Sequence, residues 1–205
     1  MKGQVFLLTA GVVIAVLVAL KGFAVVQQIS SEREILDVSL ENLAFRNIDD
    51  EVRRIIGISA STPRNISDNS IDFLNFTRTG SYGHSLDFRT LFIGVLANST
   101  NQTMNITVLQ FLRESNLNVT IKLNTSSVQT NSTLLNDSGI WINNFTFTAG
   151  QGYNLTVTLP DKNYEENITV DTKTSKDTYT GFFDLRLISG RAVYRSTFQQ
   201  GTKVS

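Results

Sequence analysis

The chain has 205 residues, 41% hydrophobic and 18% charged, enough for one domain with a real core and one extension. Eighteen basic residues balance eighteen acidic ones, so net charge calls for neither nucleic acid nor another polyanion as a partner. Cysteine is absent and His84 is the lone histidine, which excludes disulfide frameworks and thiolate chemistry and leaves no ligand set for a transition metal.

The chain opens MKGQVFLLTAGVVIAVLVAL. From Gln4 to about Ile58 there is no proline, and Gly11, Gly22 and Gly57 are isolated, so the pattern predicts one uninterrupted helix over 4–58. Its first part is apolar all round, through Val5, Phe6, Leu7, Leu8, Val12, Val13, Ile14, Val16, Leu17, Val18 and Leu20. At helical rise this run is ~24 Å long, and continuing through Lys21 to Val26 brings it to ~33 Å, enough for a ~30 Å hydrocarbon core.

Beyond Val26 the apolar residues thin to a stripe of Ile29, Leu36, Leu40, Leu43, Ile48, Val52 and Ile55, with charges between them. Asp49 with Arg53 and Asp50 with Arg54 are acid-first pairs four apart, worth a few tenths of a kcal/mol each. The expectation is a helix of ~80 Å, apolar first and amphipathic after. A discarded secretion signal would instead show a cleavage site and a break, and the pattern runs through without one.

After about Ser59 the composition shifts to Asn, Thr, Ser and Phe in short alternating runs. In LNVTIKL the residues Leu117, Val119, Ile121 and Leu123 share one face, and YNLTVTL repeats the pattern with Tyr153, Leu155, Val157 and Leu159. TMNITVLQFL, IWINNFTFT, NITVDT, FFDLRLI and AVYRSTF also read as strands, with TNSTLLNDSG and TAGQG as separating turns. The fold class expected is α+β: a long N-terminal hydrophobic and amphipathic α-helix, then an antiparallel β-sandwich-like domain over 59–205.

The same region carries twelve Asn-x-Ser/Thr sequons, at Asn65, Asn75, Asn98, Asn101, Asn105, Asn118, Asn124, Asn131, Asn136, Asn144, Asn154 and Asn167. The number exceeds what its Ser and Thr content places by chance, and none lies upstream of the junction. In a strand the Asn and the Ser/Thr point to one face and the middle residue to the other. Phe76, Ile106, Val119, Phe145, Leu155 and Ile168 occupy that middle position, so they are expected in the core, with N-linked glycan acceptors outside.

Catalytic constellations are not found: no nucleophile elbow, phosphate-cradling glycine loop, HExxH or metal-spaced carboxylates. SLDFRT, DLRL and DKNYEEN read as solvated rim. The sequence therefore predicts no enzyme, no catalytic, cofactor or metal residues, and no cofactor beyond N-linked glycans.

With Lys2 and Gly3 followed by Gln4, a long apolar segment turning amphipathic and a β-rich Asn/Thr domain, the chain resembles the archaeal type IV pilins. The resemblance implies a short class III leader over 1–3, cut by a prepilin peptidase between Gly3 and Gln4. Phe6 and Leu8 stand where many members carry Ser and Glu. It also implies a membrane-inserted precursor, pilus assembly machinery as a partner, and a helical homopolymer with the residues from Val5 to Leu20 in its core. The function expected is a structural subunit of an extracellular, cell-surface filament. The alternative is a single-pass membrane-anchored surface glycoprotein or adhesin, with Trp141, Tyr82 or Tyr153 stacking on ligand; parity with Phe145 and Phe147 places Trp141 in the core instead.

Overall fold

The computed structural model describes residues 40–56, 66–83, 86–124, 128–148, 150–173, 176–190 and 192–204. Residues 1–44 and 45–205 form two compact units. Helix α1 covers 40–56 and helix α2 Ile66–Gly83. Among the described residues nine strands follow: β1 (Asp87–Asn98), β2 (Thr103–Gln110), β3 (Leu117–Leu123), β4 (Gln129–Leu135), β5 (Ile140–Thr146), β6 (Gly152–Leu159), β7 (Tyr164–Asp171), β8 (Thr178–Ile188) and β9 (Val193–Lys203). A short 3-10 turn, Pro160–Lys162, joins β6 to β7.

All the pairings are antiparallel, in a five-stranded sheet ordered β5-β2-β1-β8-β9 and a four-stranded sheet ordered β4-β3-β6-β7. Strand alternation sorts the larger sheet into two faces. One carries Leu91, Ile93, Val95, Met104, Ile106, Val108 and Phe182 and packs on Val119, Ile121, Leu155, Val157, Ile168 and Val170 of the smaller sheet. The other carries Phe88, Phe92, Tyr179, Phe183, Leu185 and Leu187, and Phe45, Val52, Ile56, Ile66, Ile71 and Leu74 of the two helices cover it. Within residues 45–205 the molecule is thus three layers deep. Strands β1 and β8 are buried on both faces, which is why DFRTLFIGVLAN is apolar almost without alternation.

The expected long helix followed by a sandwich-like domain is overturned. The described residues are mainly antiparallel strand in two sheets, with two short helices. Residues 45–56 do not continue as a free stem: their apolar side is spent on the second face of the large sheet, which would otherwise expose its phenylalanines to water. Phe45 stacks on Tyr194 with ring centroids 5.9 Å apart, and Arg53 lies 3.7 Å over the Phe198 ring. Arg53 also pairs with Asp49 at 2.9 Å, whereas Arg54 takes Glu51 as its partner in place of Asp50. The buried register is Phe45, Val52 and Ile56, while Leu40 and Leu43 are exposed. The part of the expected helix before residue 40 lies outside the described residues. Among those described, no helix is long and apolar enough to cross a membrane.

Helix α2 falls where strands and loops were expected. It packs with a stripe of Ile66, Ser70, Leu74, Thr77 and Ser81, more polar than a usual core face. The two serines tolerate burial because each hydroxyl donates to the carbonyl four residues back, Ser70 to Ile66 at 2.8 Å and Ser81 to Thr77 at 2.7 Å.

Candidate functional site

The structure places the sequons on the surface of the strand layers and on α2. Of the eleven described sequon asparagines, Asn75, Asn101, Asn105, Asn124, Asn131, Asn136, Asn144, Asn154 and Asn167 are exposed, and Asn98 and Asn118 are half-buried. Asn65 and the leader pair Gly3 and Gln4, like the apolar positions from Val5 to Leu20, lie outside the described residues. Ile106, Val119, Phe145, Leu155 and Ile168 are buried, as strand alternation requires. Phe76 departs from this: it is 74% exposed, because its sequon sits on α2, where residues two apart do not share a face.

Two sequon pairs meet across strands. On the outer face of the small sheet Asn154 opposes Thr169, and Thr156 opposes Asn167. The pairing is reciprocal: the Thr156 hydroxyl donates to Asn167 Oδ1 at 2.8 Å, and the Thr169 hydroxyl to Asn154 Oδ1 at 3.4 Å. On the large sheet Asn105 lies directly opposite Asn144. Other sequons are held in turns. Asn98 Oδ1 accepts the Asn101 N–H at 2.8 Å, and Asn136 Oδ1 accepts the Asn116 N–H at 3.4 Å. Arg78 of α2 reaches the Asn136 sequon, pairing with Asp137 at 2.5 Å and donating to the Ser138 hydroxyl, and it lies 4.5 Å over the Phe111 ring.

Of the aromatics offered as ligand platforms, Tyr153 and Trp141 are largely spent on packing, and the Tyr82 side chain lies outside what the structure describes. Tyr153 is buried, edge-on to Phe147 at 5.9 Å, with its hydroxyl donating to Thr148 O and accepting from Thr148 N–H, both at 2.9 Å. Trp141 is half-buried against the inter-sheet core.

A charged notch at one end of the two packed sheets was not legible as such. Arg89, Arg186 and Arg195 are direct register partners across β1, β8 and β9, on the face turned toward the small sheet. Neighbouring opposed Cβ atoms are ~5 Å apart, where like charges repel. Two carboxylates offset this. Asp184, 1% exposed, receives Arg186 at 2.6 and 3.3 Å and both forks of Arg195 at 2.9 Å. Asp87 accepts a hydrogen bond from Arg89 at 2.9 Å and forms ion pairs with Arg89 at 2.8 Å and Arg113 at 3.0 Å. Burial alone would raise the Asp184 pKa, but the two guanidinium forks outweigh it and hold the carboxyl below its ordinary value.

Between this row and the end of the small sheet lies a cavity of about 240 Å³, lined by Arg89, Leu91, Leu112, Leu159, Tyr164 and Arg186 together with the Lys162–Glu114 ion pair (2.6 Å) and Asp184. Tyr164 is pushed well above the usual phenol range, first by burial and then by the charges of Asp184 and Glu166, so it stays a hydrogen-bond donor. The signal that would have found this site is the repeated Asp-x-Arg of Asp87-Phe88-Arg89 and Asp184-Leu185-Arg186, which puts acid and base on one face of two strands.

Among the described residues no group of three or more His, Asp or Glu side chains is placed to hold a metal ion. No protein-family model matches the chain, and no curated protein matches it in sequence.

Proposed function

We propose that the chain is a structural subunit of an extracellular, type IV pilus-like filament, with glycosylated strand layers outside and the apolar opening segment inside. The observation that carries the reading is the surface position of the sequons. None of the eleven described sequon asparagines is buried, although they are spread over α2, strands and turns. A chain selected only for folding has no need of so many acceptors on its outer faces.

The opening segment supports the same reading. A stretch apolar on every side must be surrounded by lipid or by copies of itself. The two surroundings are similar solvents, so one segment serves a membrane-held precursor and an assembled core. Identical subunits related by a rotation that does not close form an open helical polymer. The prepilin peptidase and an assembly machinery are the partners this reading requires.

The test is electron microscopy, intact-mass measurement and N-terminal sequencing of material sheared from cells. The expected result is filaments whose subunit begins at Gln4 and carries added sugar mass. Recovery of the protein solely as a membrane-bound monomer overturns the reading.

A further inference from the structure

From the arginine row and the cavity beside it, we infer that the notch between β1, β8 and the β6–β7 turn is a binding site for a compact organic monoanion, a carboxylate carried on a ring of sugar-acid size. This inference does not rest on assembly into filaments.

Three observations define the ligand. The first is charge. Five cations face the notch or its carboxylates, Arg89, Arg113, Arg186, Arg195 and Lys162, against four acids, Asp87, Asp184, Glu114 and Glu166. Each of Asp87 and Asp184 is shared by two guanidiniums, so each triad keeps one positive charge in excess. Glu166 offsets part of this, although burial raises its pKa and weakens its hold on a negative charge.

The second is the register. Packing alone gives no reason to set three arginines directly opposite one another, since like charges at that spacing destabilise a sheet. Asp87 and Asp184 offset the repulsion only in part, since each is shared by two guanidiniums, and an incoming carboxylate lowers what remains: Arg89 and Arg186 both border the cavity, and each keeps N–H groups beyond those its aspartate engages.

The third is the floor. Leu91, Leu112 and Leu159 give the cavity an apolar base, and Tyr164 adds a ring and a hydroxyl donor. Inorganic phosphate gains nothing from leucines, whereas a ring bearing one carboxylate uses both the floor and the arginines. A volume of about 240 Å³ is below the range of drug-sized pockets and suits a single sugar ring.

The ring acid can arrive free or as the end of an oligosaccharide. Saturation-transfer difference NMR on the full-length chain tests both, because it reads the ligand and tolerates a large assembly. The probes are glucuronate, a glucuronate-terminated oligosaccharide, glucose and inorganic phosphate. The expected result is transfer to glucuronate that glucose does not compete away and that falls at least about tenfold in apparent affinity in Arg89→Gln. That variant leaves the Asp184 triad intact, so it guards against a folding failure of Arg186→Gln, in which affinity should fall as well. Lys122→Gln, on the outer face of the small sheet, should bind as the wild type does.

Transfer to the free acid alone identifies a soluble ligand, and transfer to the oligosaccharide as well identifies a pendant one; both support the site. Equal transfer to glucose and glucuronate, displacement of glucuronate by equimolar phosphate, or unchanged binding in Arg89→Gln overturns it.

Discussion

Gly94 and Gly181 are direct partners across β1 and β8, and both leave open the face on which the helices lie. A Cβ at Gly94 would come within 2.6 Å of the Tyr179 hydroxyl, 2.9 Å of the Phe92 ring and 3.0 Å of Ser67 Oγ on α2. At Gly181 it would meet the Phe183 ring at 2.9 Å and Ile56 of α1 at 3.1 Å. The glycine pair is where two helices approach one sheet closely.

Alanine at either position therefore overpacks the helix-to-sheet layer. Gly94→Ala is expected to cost about 2–3 kcal/mol and Gly181→Ala about 1–2 kcal/mol, since Tyr179 is fully enclosed whereas the tip of Ile56 can shift. Thermal unfolding reads this as a fall of roughly 2–4 °C per kcal/mol for a chain of this size. Because the residues are neighbours, the double variant should lose less than the sum. Wild-type melting temperatures in both single variants would mean that the helices do not rest on this pair.

Arg78 joins α2 to the β4–β5 turn through Asp137 and Ser138 and covers Phe111 with its guanidinium plane. Its side chain is 15% exposed, so the pair is shielded more than an ordinary surface bridge. Arg78→Ala is expected to destabilise the chain by about 2 kcal/mol, and Arg78→Lys by about half as much or more, because an ammonium cannot make the fork and the stack together. Chemical denaturation measures both; a lysine variant as stable as the wild type would reduce the contact to a point charge.

The positions of most strands were legible in the sequence, though not their order in the sheets, for a physical reason that also explains the failures. Strands β3 and β6 are buried on one face and wet on the other, so their alternation survives in the residues from Leu117 to Leu123 and from Tyr153 to Leu159. Strand β1 is covered on both sides, and its continuous apolar run carries no such mark. Strand β4 lies at a sheet edge with Thr130, Asn131 and Ser132 all exposed, and so resembles a turn. Helix α2 hides its stripe by burying Ser70, Thr77 and Ser81, and the spacing of Asn75, Phe76 and Thr77 mimics a strand sequon. The sequons are local patterns and could be read directly. The charged notch announces itself locally only as the two Asp-x-Arg repeats; that Arg89, Arg186 and Arg195 stand opposite one another is a matter of register between segments far apart in the chain, which those repeats do not fix.

The outward position of the sequons gives a separate expectation about stability. Replacing Asn124, Asn131 or Asn144 by Gln should change unfolding free energy by no more than about 0.5 kcal/mol, since each is exposed. Asn167→Gln should cost about 0.5–1 kcal/mol through the lost Thr156 hydrogen bond. Thr107, the hydroxyl residue of the Asn105 sequon, is 5% exposed, so Thr107→Ala should cost more than Asn105→Gln although both remove the same acceptor site. Denaturation of unglycosylated protein from a heterologous host separates these effects from those of any sugar. A large loss in Asn124→Gln or Asn131→Gln would show that these asparagines carry structural contacts.

Asp184 and Glu166 face the same notch and respond to pH in opposite senses. The folded pKa of Asp184 lies below its unfolded value because the Arg186 and Arg195 forks outweigh burial. Its contribution is fully present above the unfolded value, about pH 4, and is lost as pH falls through the folded value. Glu166 is raised, chiefly by burial, so its favourable contribution is present below about pH 4 and is lost as pH rises through its folded value. Asp184→Asn removes the negative charge and one of the two acceptor oxygens shared by two guanidiniums and is expected to cost about 3 kcal/mol at neutral pH, the low end for a broken buried pair, because half-exposed Arg195 can return to water. That deficit should shrink steadily below pH 4, as the wild-type carboxyl is itself protonated. Glu166→Gln should be at least as stable as the wild type at pH 7 and lose this advantage toward pH 4. Urea denaturation at half-unit steps from pH 3 to pH 7 follows both differences. A pH-independent deficit in Asp184→Asn would assign its cost to lost packing instead of lost charge.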